Sequence, residues 1–161
     1  MNFKILSETT LTREVILTKE YCPKNFKNEI KNTEILILPN KNFRDQNFYY
    51  FSDETLYFFH FLKEKNISSE FCIDNENFNT LQLHSDEFRF SHMLLGGVLL
   101  PIFVNLLTEY ISTKLKNSQK ELSPKISIEL TIEKKEKNIN LKYEGPIDEF
   151  SKILKEISKE D

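Results

Sequence analysis

The sequence predicts one domain of the α/β or α+β class, in which helices combine with a mixed β-sheet. Three patterns lead to this prediction: a strand, helix, strand succession in residues 34–75, a long apolar segment in residues 86–117, and strict alternation of apolar and polar residues after residue 124. The chain has 161 residues, of which 39% are hydrophobic and 29% are charged. A chain of this size can bury a core without disulfides or metal ions, so residues 1–161 are expected to form a single domain.

The first unit, residues 34–75, is predicted to contain a strand, a helix and a second strand. Residues 34–38 form a continuous aliphatic run, which is typical of a strand covered on both faces. Ser52 offers a capping oxygen to a helix over residues 53–65. Residues 69–74 form the second strand, and a right-handed crossover makes the two strands parallel. The apolar side chains that share one face of this helix are Leu56, Phe59 and Leu62.

The second unit, residues 86–117, is predicted to be a long core helix that is broken near Gly96 and Gly97. Pro101 fits the first turn of its second half, where the missing N–H leaves no hydrogen bond unmade. The longest apolar run, residues 93–104, is shorter than the roughly 20 residues that a membrane-spanning helix needs, so we expect a buried helix. Its apolar positions at helical spacing are Ile102, Phe103, Leu106, Leu107, Tyr110, Ile111 and Leu115.

The third unit, residues 124–159, is predicted to be a β-hairpin followed by a helix. Apolar residues alternate with polar ones over residues 126–132 and again over residues 139–143, which is typical of an antiparallel hairpin with one face in water. We expect this hairpin at an edge of the sheet, and we expect residues 3–6 and 14–18 to form a short second hairpin. The apolar stripe of the last helix comprises Ile147, Phe150, Ile153, Leu154 and Ile157.

The composition limits the partners and the compartment. A net charge of -3 and only three arginines argue against a protein that binds a nucleic-acid backbone. Cys22 and Cys72 have no paired spacing and fit two free thiols in a reducing cytoplasm. The first residues reach Glu8 before any apolar run, so no secretory signal is predicted. We therefore expect a cytoplasmic protein with no nucleic-acid or membrane partner, no cofactor and no metal ion.

Four short motifs follow one another between residues 34 and 157. They are Leu-Pro-Asn at 38–40, Leu-Gln-Leu-His-Ser at 81–85, Leu-Pro-Ile-Phe-Val-Asn-Leu-Leu at 100–107 and Tyr-Glu-Gly-Pro at 143–146. Their order resembles that in a group of uncharacterised small bacterial proteins. The resemblance implies a bacterial, cytosolic, single-domain protein, and it implies no activity.

The loop predicted over residues 39–51 is the first candidate site. It leaves the carboxyl end of a strand that is expected to be parallel, where α/β folds place their ligands, and it is longer than the usual connection. Lys41 and Arg44 supply positive charge for an anionic group, and Asn40 and Asn42 supply amide hydrogen bonds. The alternative is a surface loop that is anchored by its own Phe and Tyr side chains.

The second candidate site, for metal or acid-base chemistry, comprises His84, Asp86 and His92. His84 ends a predicted strand over residues 80–84, whereas Asp86 and His92 fall on the predicted helix. Two positions six apart do not share a helix face, and the spacing matches no zinc motif. The alternative is a strand end followed by Ser85 as a helix cap and by acidic residues at the positive end of the helix dipole.

These patterns favour a non-catalytic binding or regulatory module of a bacterial or phage system. We expect it to act through protein contacts, including self-association, or through a small anionic ligand at residues 39–51. The Gly96–Gly97 segment and the edge hairpin are the surfaces expected for association. Two alternatives stay open: a small enzyme that uses His84, Asp86 and His92, and a membrane-active effector that exposes residues 93–107.

Overall fold

The computed structural model describes residues 2–83, 87–115 and 124–159. The strands in these ranges are β1 (Phe3–Thr9), β2 (Ile35–Ile37), β3 (Asn40–Phe43), β4 (Gln46–Ser52), β5 (Ser69–Phe71), β6 (Thr80–Leu81), β7 (Phe88–Arg89), β8 (Met93–Gly96), β9 (Lys125–Glu133) and β10 (Asn138–Pro146). The α-helices are α1 (Arg13–Ile16), α2 (Lys27–Asn32), α3 (Asp53–Glu64), α4 (Leu100–Leu115) and α5 (Ile147–Lys159).

Most of the described strands form one mixed sheet in the order β1-β10-β9-β8-β2-β5. β7 pairs with the first part of β9, and β3, β4 and β6 form a smaller sheet of their own. Parallel and antiparallel neighbours occur side by side, since β8 runs parallel to β9 and antiparallel to β2. The predicted class, a single mixed α/β domain, is confirmed.

The predicted strand, helix, strand unit is confirmed. β2 and β5 are parallel, with Ile35 opposite Ser69, and α3 lies between them in the chain. Ser52 caps α3, because its Oγ accepts a hydrogen bond from the backbone N–H of Thr55 at 3.3 Å. All three residues of β2 are fully buried, as the continuous aliphatic run indicates for a strand covered on both faces.

The segment before Gly97 is strand rather than helix, which corrects the first half of the predicted broken helix. Residues 93–96 form β8, whose backbone pairs with β2 on one side and with β9 on the other. A continuous apolar run fits a buried strand as well as a buried helix, and here the neighbouring strands satisfy its backbone. The core helix follows a 3₁₀ turn over Gly97–Leu99, and Pro101 occupies its first turn as predicted.

The N-terminal segment also differs from the prediction. β1 pairs antiparallel with β10 over its whole length, whereas residues 14–16 belong to α1, which Thr12 caps. β1 and β10 are far apart in sequence, so no local pattern predicts that they pair. Because β1 covers β10 and β8 covers β9, the C-terminal hairpin lies inside the sheet and not at its edge. Among the described strands, β1 and β5 form the edges of the main sheet.

The C-terminal hairpin and the helix that follows it are confirmed. β9 and β10 are antiparallel, with Leu130 opposite Leu141, and both of these side chains are buried in the core. α5 begins directly after β10 and packs Phe150 and Leu154 into the same core.

Two apolar clusters cover the main sheet. The larger cluster lies on one face and includes the buried side chains of α3, α4 and α5. The smaller cluster lies on the other face, where α1 and α2 cover β2 and β8. It contains Leu36, Leu94 and both cysteines, Cys22 and Cys72, as buried thiols. The two cysteines are therefore core residues rather than surface groups.

The second face of the sheet is covered only in part. Arg13 of α1 lies at the border of the smaller cluster. Its guanidinium donates to Glu133 at 3.0 Å and to the carbonyl of Thr33 at 2.7 Å. Beyond this pair no helix of the described residues covers the sheet, and we call this region the open face. It carries Phe3, Ile5 and Ser7 of β1, Asn140 and Lys142 of β10, and Glu129 and Thr131 of β9.

One helical stretch, Gly97–Leu115, is long and apolar enough to cross a membrane by length and composition, with a mean hydropathy of 1.3. Part of it, 39%, is buried inside the protein, where Phe103 and Leu107 belong to the larger cluster. The core helix of a soluble protein meets the same criterion.

Candidate functional site

Residues 39–51 contain a β-hairpin where the sequence predicts a loop. β3 and β4 pair antiparallel, with Lys41 opposite Tyr49, and a bulge interrupts the pairing before Phe43. The surrounding asparagines and lysines are poor strand formers, but the aromatic residues of β4 are strong ones. β4 then runs directly into α3. We call residues 40–52 the aromatic hairpin.

A buried hydroxyl network holds the base of the aromatic hairpin. Ser52 Oγ donates to the carbonyl of Arg89 at 2.6 Å. The backbone N–H of Ser91 donates to Thr55 Oγ1 at 2.7 Å, and Ser91 Oγ donates to Asn40 Oδ1, also at 2.7 Å. Because Ser52, Thr55 and Ser91 are buried and hydrogen-bonded, they join the hairpin, α3 and the start of β8 into a rigid base.

Three aromatic rings of the hairpin pack against one another and against neither core cluster. The ring centroids of Phe43 and Tyr50 are 5.8 Å apart, as are those of Phe48 and Tyr50. The guanidinium of Arg44 lies over the Phe43 ring, 5.0 Å from its centroid. We call Phe43, Phe48 and Tyr50 the aromatic trio. Large half-buried rings of this kind are typical of the surfaces with which proteins bind one another.

The other face of the hairpin is tied to the body of the protein. Tyr49 packs edge-on against Tyr21, with 5.6 Å between the ring centroids, and its hydroxyl donates to Glu20. Lys41 Nζ lies 3.2 Å from the same carboxylate. The hydrogen bond from Tyr49 and the ammonium of Lys41 lower the pKa of Glu20. Tyr49 and Lys41 therefore both have Glu20 as the partner of their polar groups.

The four predicted ligand-binding residues all lie on the hairpin, but only two of them are left for a partner. Asn40 accepts a hydrogen bond in the basal network, and Lys41 is paired with Glu20. Asn42 and Arg44 are exposed near the tip, with φ angles of 66° and 57°. Asparagine adopts this left-handed conformation readily, whereas it is uncommon for an arginine.

The predicted acid-base residue His92 borders the open face, beside polar side chains of β9 and β10. Its Nε2 is 2.7 Å from Thr131 Oγ1, and its Nδ1 is 3.8 Å from Glu129 Oε1. Thr131 Oγ1 is in turn 3.0 Å from Asn140 Oδ1, and Asn140 Nδ2 donates to Glu129 Oε2 at 3.0 Å. We call these four residues the His92 network.

Asn140 sets the direction of the protons in the His92 network. An ionised Glu129 only accepts, so Asn140 turns its Nδ2 towards that carboxylate and its Oδ1 towards Thr131. The Thr131 hydroxyl therefore donates to Asn140 and accepts from the Nε2–H of His92. Because the hydroxyl proton points away from the imidazole, His92 is not placed to activate Thr131 as a nucleophile.

The charge of His92 is controlled by burial and by two neighbours. Burial lowers the pKa of His92, the carboxylate of Glu129 raises it, and the ammonium of Lys142 lowers it. The first effect is the largest, so the folded protein favours the neutral imidazole. A proton that binds to this neutral form enters at Nδ1, next to Glu129, where it creates an ion pair.

His84 and Asp86, the other two residues of the predicted acid-base site, lie outside the described residues. Within residues 2–83, 87–115 and 124–159, no group of three or more His, Cys, Asp or Glu side chains is placed to hold a metal ion.

A cavity of about 170 Å³ lies at the N-terminus of α3. Three carboxylates and one guanidinium line it, so its charge does not suit the small anionic ligand that the sequence suggests. These charged lining residues are Asp53, Glu54, Glu87 and Arg89.

The chain matches no protein-family model, no curated protein and no solved structure. The comparisons thus add no family, ligand or activity to the geometry described above. The similarity to small bacterial proteins stays a resemblance.

The sequence patterns do not single out the aromatic trio or most of the His92 network. The spacing of Phe48 and Tyr50, two apart, is the signal that a strand places both rings on one face. Thr131 and Asn140 carry no such signal, because alternation marks them only as the wet face of a hairpin. Their contact with His92 depends on the parallel pairing of β8 with β9, which is a tertiary feature.

Proposed function

We propose that the protein is a cytoplasmic, non-catalytic binding module of a bacterial or phage system that docks onto a protein partner through the aromatic hairpin. The observation that carries the proposal is the aromatic trio, whose rings pack against neither core cluster. A folded domain gains most from large aromatic side chains when they are buried in its core. Aromatic residues and arginine are also the side chains that contribute most to binding energy at protein interfaces.

The rigid base supports this proposal. The hydroxyl network around Ser52 and Ser91, together with the packing of Tyr49 on Tyr21, holds both strands of the hairpin before any partner arrives. A preformed contact surface loses less conformational entropy on binding than a flexible loop. The hairpin therefore suits binding better than the loop that the sequence predicts.

The chemistry of the tip indicates the kind of partner. Arg44 lies over Phe43 and keeps a planar fork of N–H donors, which matches a carboxylate. Lys41 does not compete for that carboxylate, because Glu20 already binds its ammonium. We therefore propose a partner protein that presents an acidic side chain beside an apolar groove, with the groove receiving the aromatic trio.

The other functions have less support. A small anionic ligand at the hairpin would have to compete with Glu20 for Lys41 and with the Ser91 hydroxyl for Asn40, which leaves Asn42 and Arg44. An enzyme built on His92 lacks an activated hydroxyl, since Thr131 donates its proton to Asn140. A membrane-active effector that exposes residues 93–107 would have to remove β8 from between β2 and β9.

The proposal is tested by site-specific photo-crosslinking in cells. A photoreactive phenylalanine analogue replaces Phe48 in one variant and Tyr57 in the control. Tyr57 is the control because it is 49% exposed and, like Phe43 of the aromatic trio, carries a cation over its ring, Lys114 Nζ at 4.4 Å. We expect one crosslinked protein at position 48 that is absent at position 57.

The binding strength of the crosslinked protein is then measured with purified components. Arg44→Ala and Phe48→Ser should each weaken the complex at least about tenfold, whereas Lys114→Ala should not. Both hairpin substitutions leave the core untouched, so the thermal unfolding midpoint should stay close to that of the wild type. Equal crosslinking at both positions, or wild-type affinity of both hairpin variants, would contradict the proposal. Native mass spectrometry that finds a retained anion, lost in Arg44→Ala, would instead favour the ligand-binding function.

A further inference from the structure

β1 is the longer of the two open edges of the main sheet. It has seven residues and pairs with β10 without a bulge, whereas β5 at the opposite edge has three residues. Within the described ranges, no strand pairs with the outer side of β1. Proteins usually protect such edges by shortening them, bending them, or placing a proline or charged side chains in them. β1 has only the last of these features, in Lys4 and Glu8.

The exposed side chains of β1 are partly apolar. Phe3, Ile5 and Leu6 are 39%, 54% and 47% exposed. Leu6 lies on the helix-bearing face, because its cross-strand neighbour Leu141 belongs to the larger core cluster. Phe3 and Ile5 lie on the open face. Both faces of this edge therefore offer apolar surface to another strand.

The sequence of β1 is complementary to itself in the antiparallel direction. Lys4 and Glu8 stand at equal distances on either side of Leu6 and on the same face of the strand. When two copies of β1 pair antiparallel about Leu6, each Lys4 lies directly opposite Glu8 of the second copy. Directly opposite side chains have their Cβ atoms about 4.5–5.5 Å apart, which permits ion pairs.

We infer that the protein forms a homodimer in which the β1 edges of two copies pair antiparallel about Leu6. The two main sheets then become one sheet, with the helices α3, α4 and α5 of both copies on one side and both open faces on the other. Glu8 uses Oε1 for Lys137 of its own chain, so Oε2 is the oxygen that meets Lys4 of the second copy. The inference does not depend on the aromatic hairpin.

The charges select this register over its neighbours. A pair of strands centred on Ile5 places Lys4 opposite Leu6, and a pair centred on Ser7 places Leu6 opposite Glu8. Parallel in-register pairing would place Lys4 of one copy beside Lys4 of the other, which is a pair of like charges. Only the arrangement centred on Leu6 gives two opposite-charge pairs and a contact between apolar side chains at the centre.

The inference is tested by charge reversal. Wild-type protein should have twice the chain mass of 19.2 kDa in native mass spectrometry and in light scattering. Lys4→Glu should weaken the dimer at least about tenfold, because two favourable pairs become two pairs of like charges. The triple variant Lys4→Glu, Glu8→Lys and Lys137→Glu should restore wild-type affinity within about threefold, since the pairs of residue 8 with residues 4 and 137 re-form with reversed signs. Lys4 and Glu8 are exposed, and dimerisation itself stabilises the folded state. The unfolding midpoint of Lys4→Glu should therefore match that of wild-type protein diluted until it is monomeric.

The register is tested by cysteine crosslinking with oxidised glutathione. Leu6→Cys should give a disulfide-linked dimer on a non-reducing gel, because position 6 meets itself across the twofold axis. Ser7→Cys is the control: the two copies of position 7 are offset by two residues, which exceeds the reach of a disulfide. A wild-type monomer up to its solubility limit, a dimer unaffected by Lys4→Glu, or crosslinking at position 7 in place of position 6 would overturn the inference. A monomeric wild type would instead favour pairing of β1 with a strand from another protein.

Discussion

At Gly145 the end of β10 depends on the absence of a side chain. The backbone there has a φ of 156°, and an added Cβ would lie 2.8 Å from Tyr143 Oη and 3.3 Å from Asn2 Cγ. The Tyr143 ring is buried, and its hydroxyl donates to the carbonyl of Pro146 at 2.7 Å, so it cannot move aside without losing a hydrogen bond. Both the conformation and the lack of space require glycine.

We predict that Gly145→Ala lowers the free energy of unfolding by roughly 1–3 kcal/mol, measured by urea denaturation. The matched control is Gly96→Ala, where φ is -73° and the nearest atom lies 3.9 Å from the added Cβ. The control should change the stability by less than about 0.5 kcal/mol. Equal losses in the two variants would show that the space around Gly145 does not govern the end of β10.

His92 should make the stability of the protein depend on pH. Burial lowers its pKa in the folded state below the unfolded value of about 6.5. As the pH falls, the unfolded chain therefore binds a proton before the folded protein does. The contribution of His92 to stability is complete above pH 7 and is lost as the pH falls through the unfolded value towards the lower folded one. Glu129 opposes this loss and Lys142 adds to it.

We predict that His92→Gln reduces the loss of stability between about pH 7.5 and pH 5, since glutamine can donate to Thr131 but does not titrate. The measurement is the urea midpoint across that pH range. His60→Gln is measured beside it, because this variant removes an exposed imidazole of α3 and keeps the His92 network intact. A His92→Gln profile as steep as that of the wild type would assign the pH dependence to other groups.

At the scale of elements, the start of α3 joins three parts of the fold. Ser52 ends β4, caps α3 and donates to Arg89 at the end of β7. The same hydroxyl lies 2.7 Å from Thr55 Oγ1. The helix therefore begins where the sequence predicts, and its cap also anchors the aromatic hairpin.

We predict that Ser52→Ala destabilises the protein by roughly 1–2 kcal/mol, because the helix loses its cap and the buried Thr55 loses a partner. Ser112→Ala on the exposed side of α4 is the matched control and should be neutral within about 0.5 kcal/mol. Chemical denaturation of both variants checks the difference. An effect of Ser52→Ala no larger than that of the control would mean that the hydroxyl network is dispensable.

At the scale of the whole molecule, the fold is most firmly held at β8. This strand lies between β2 and β9, and its side chains enter both clusters, Met93 and Leu95 the larger one and Leu94 the smaller. The aromatic hairpin belongs to the small sheet, in which β3 is an edge strand, and its residues 41–42 and 44–47 are exposed. We therefore expect the two regions to differ widely in local stability.

We predict that amide hydrogens of Met93–Gly96 exchange slowest and that those of residues 41–47 exchange among the fastest, measured by hydrogen-exchange mass spectrometry. Exchange at β8 requires opening of the whole sheet, whereas exchange at the hairpin tip requires only local opening. Comparable protection of the two segments would show that the hairpin is covered in solution. A diluted sample is the control, because dilution dissociates oligomers and exposes any edge that they cover.

Much of the fold follows from local patterns, whereas the candidate site does so only in part. The spacing of apolar and capping residues predicts the alternation of β9 and β10, the apolar stripe of α5 and the capped start of α3. Asn42 and Arg44 are also correctly placed on the surface of the segment that the sequence singles out. Local patterns do not predict the hairpin form of that segment, because its asparagines and lysines are poor strand formers. They do not predict the contact of Asn40 with Ser91 either, because these residues are 51 positions apart.

The sequence by itself determined the class of the fold, the extent of most helices and strands, and the acidic, cysteine-poor character of the protein, since periodicity and composition are local properties. Only the tertiary structure decided that residues 93–96 are a central strand, that β1 rather than the C-terminal hairpin forms an edge, and that His92 meets Thr131 and Glu129. A buried apolar run satisfies its backbone equally well in a helix or between strands, and the neighbours that are available decide which one forms.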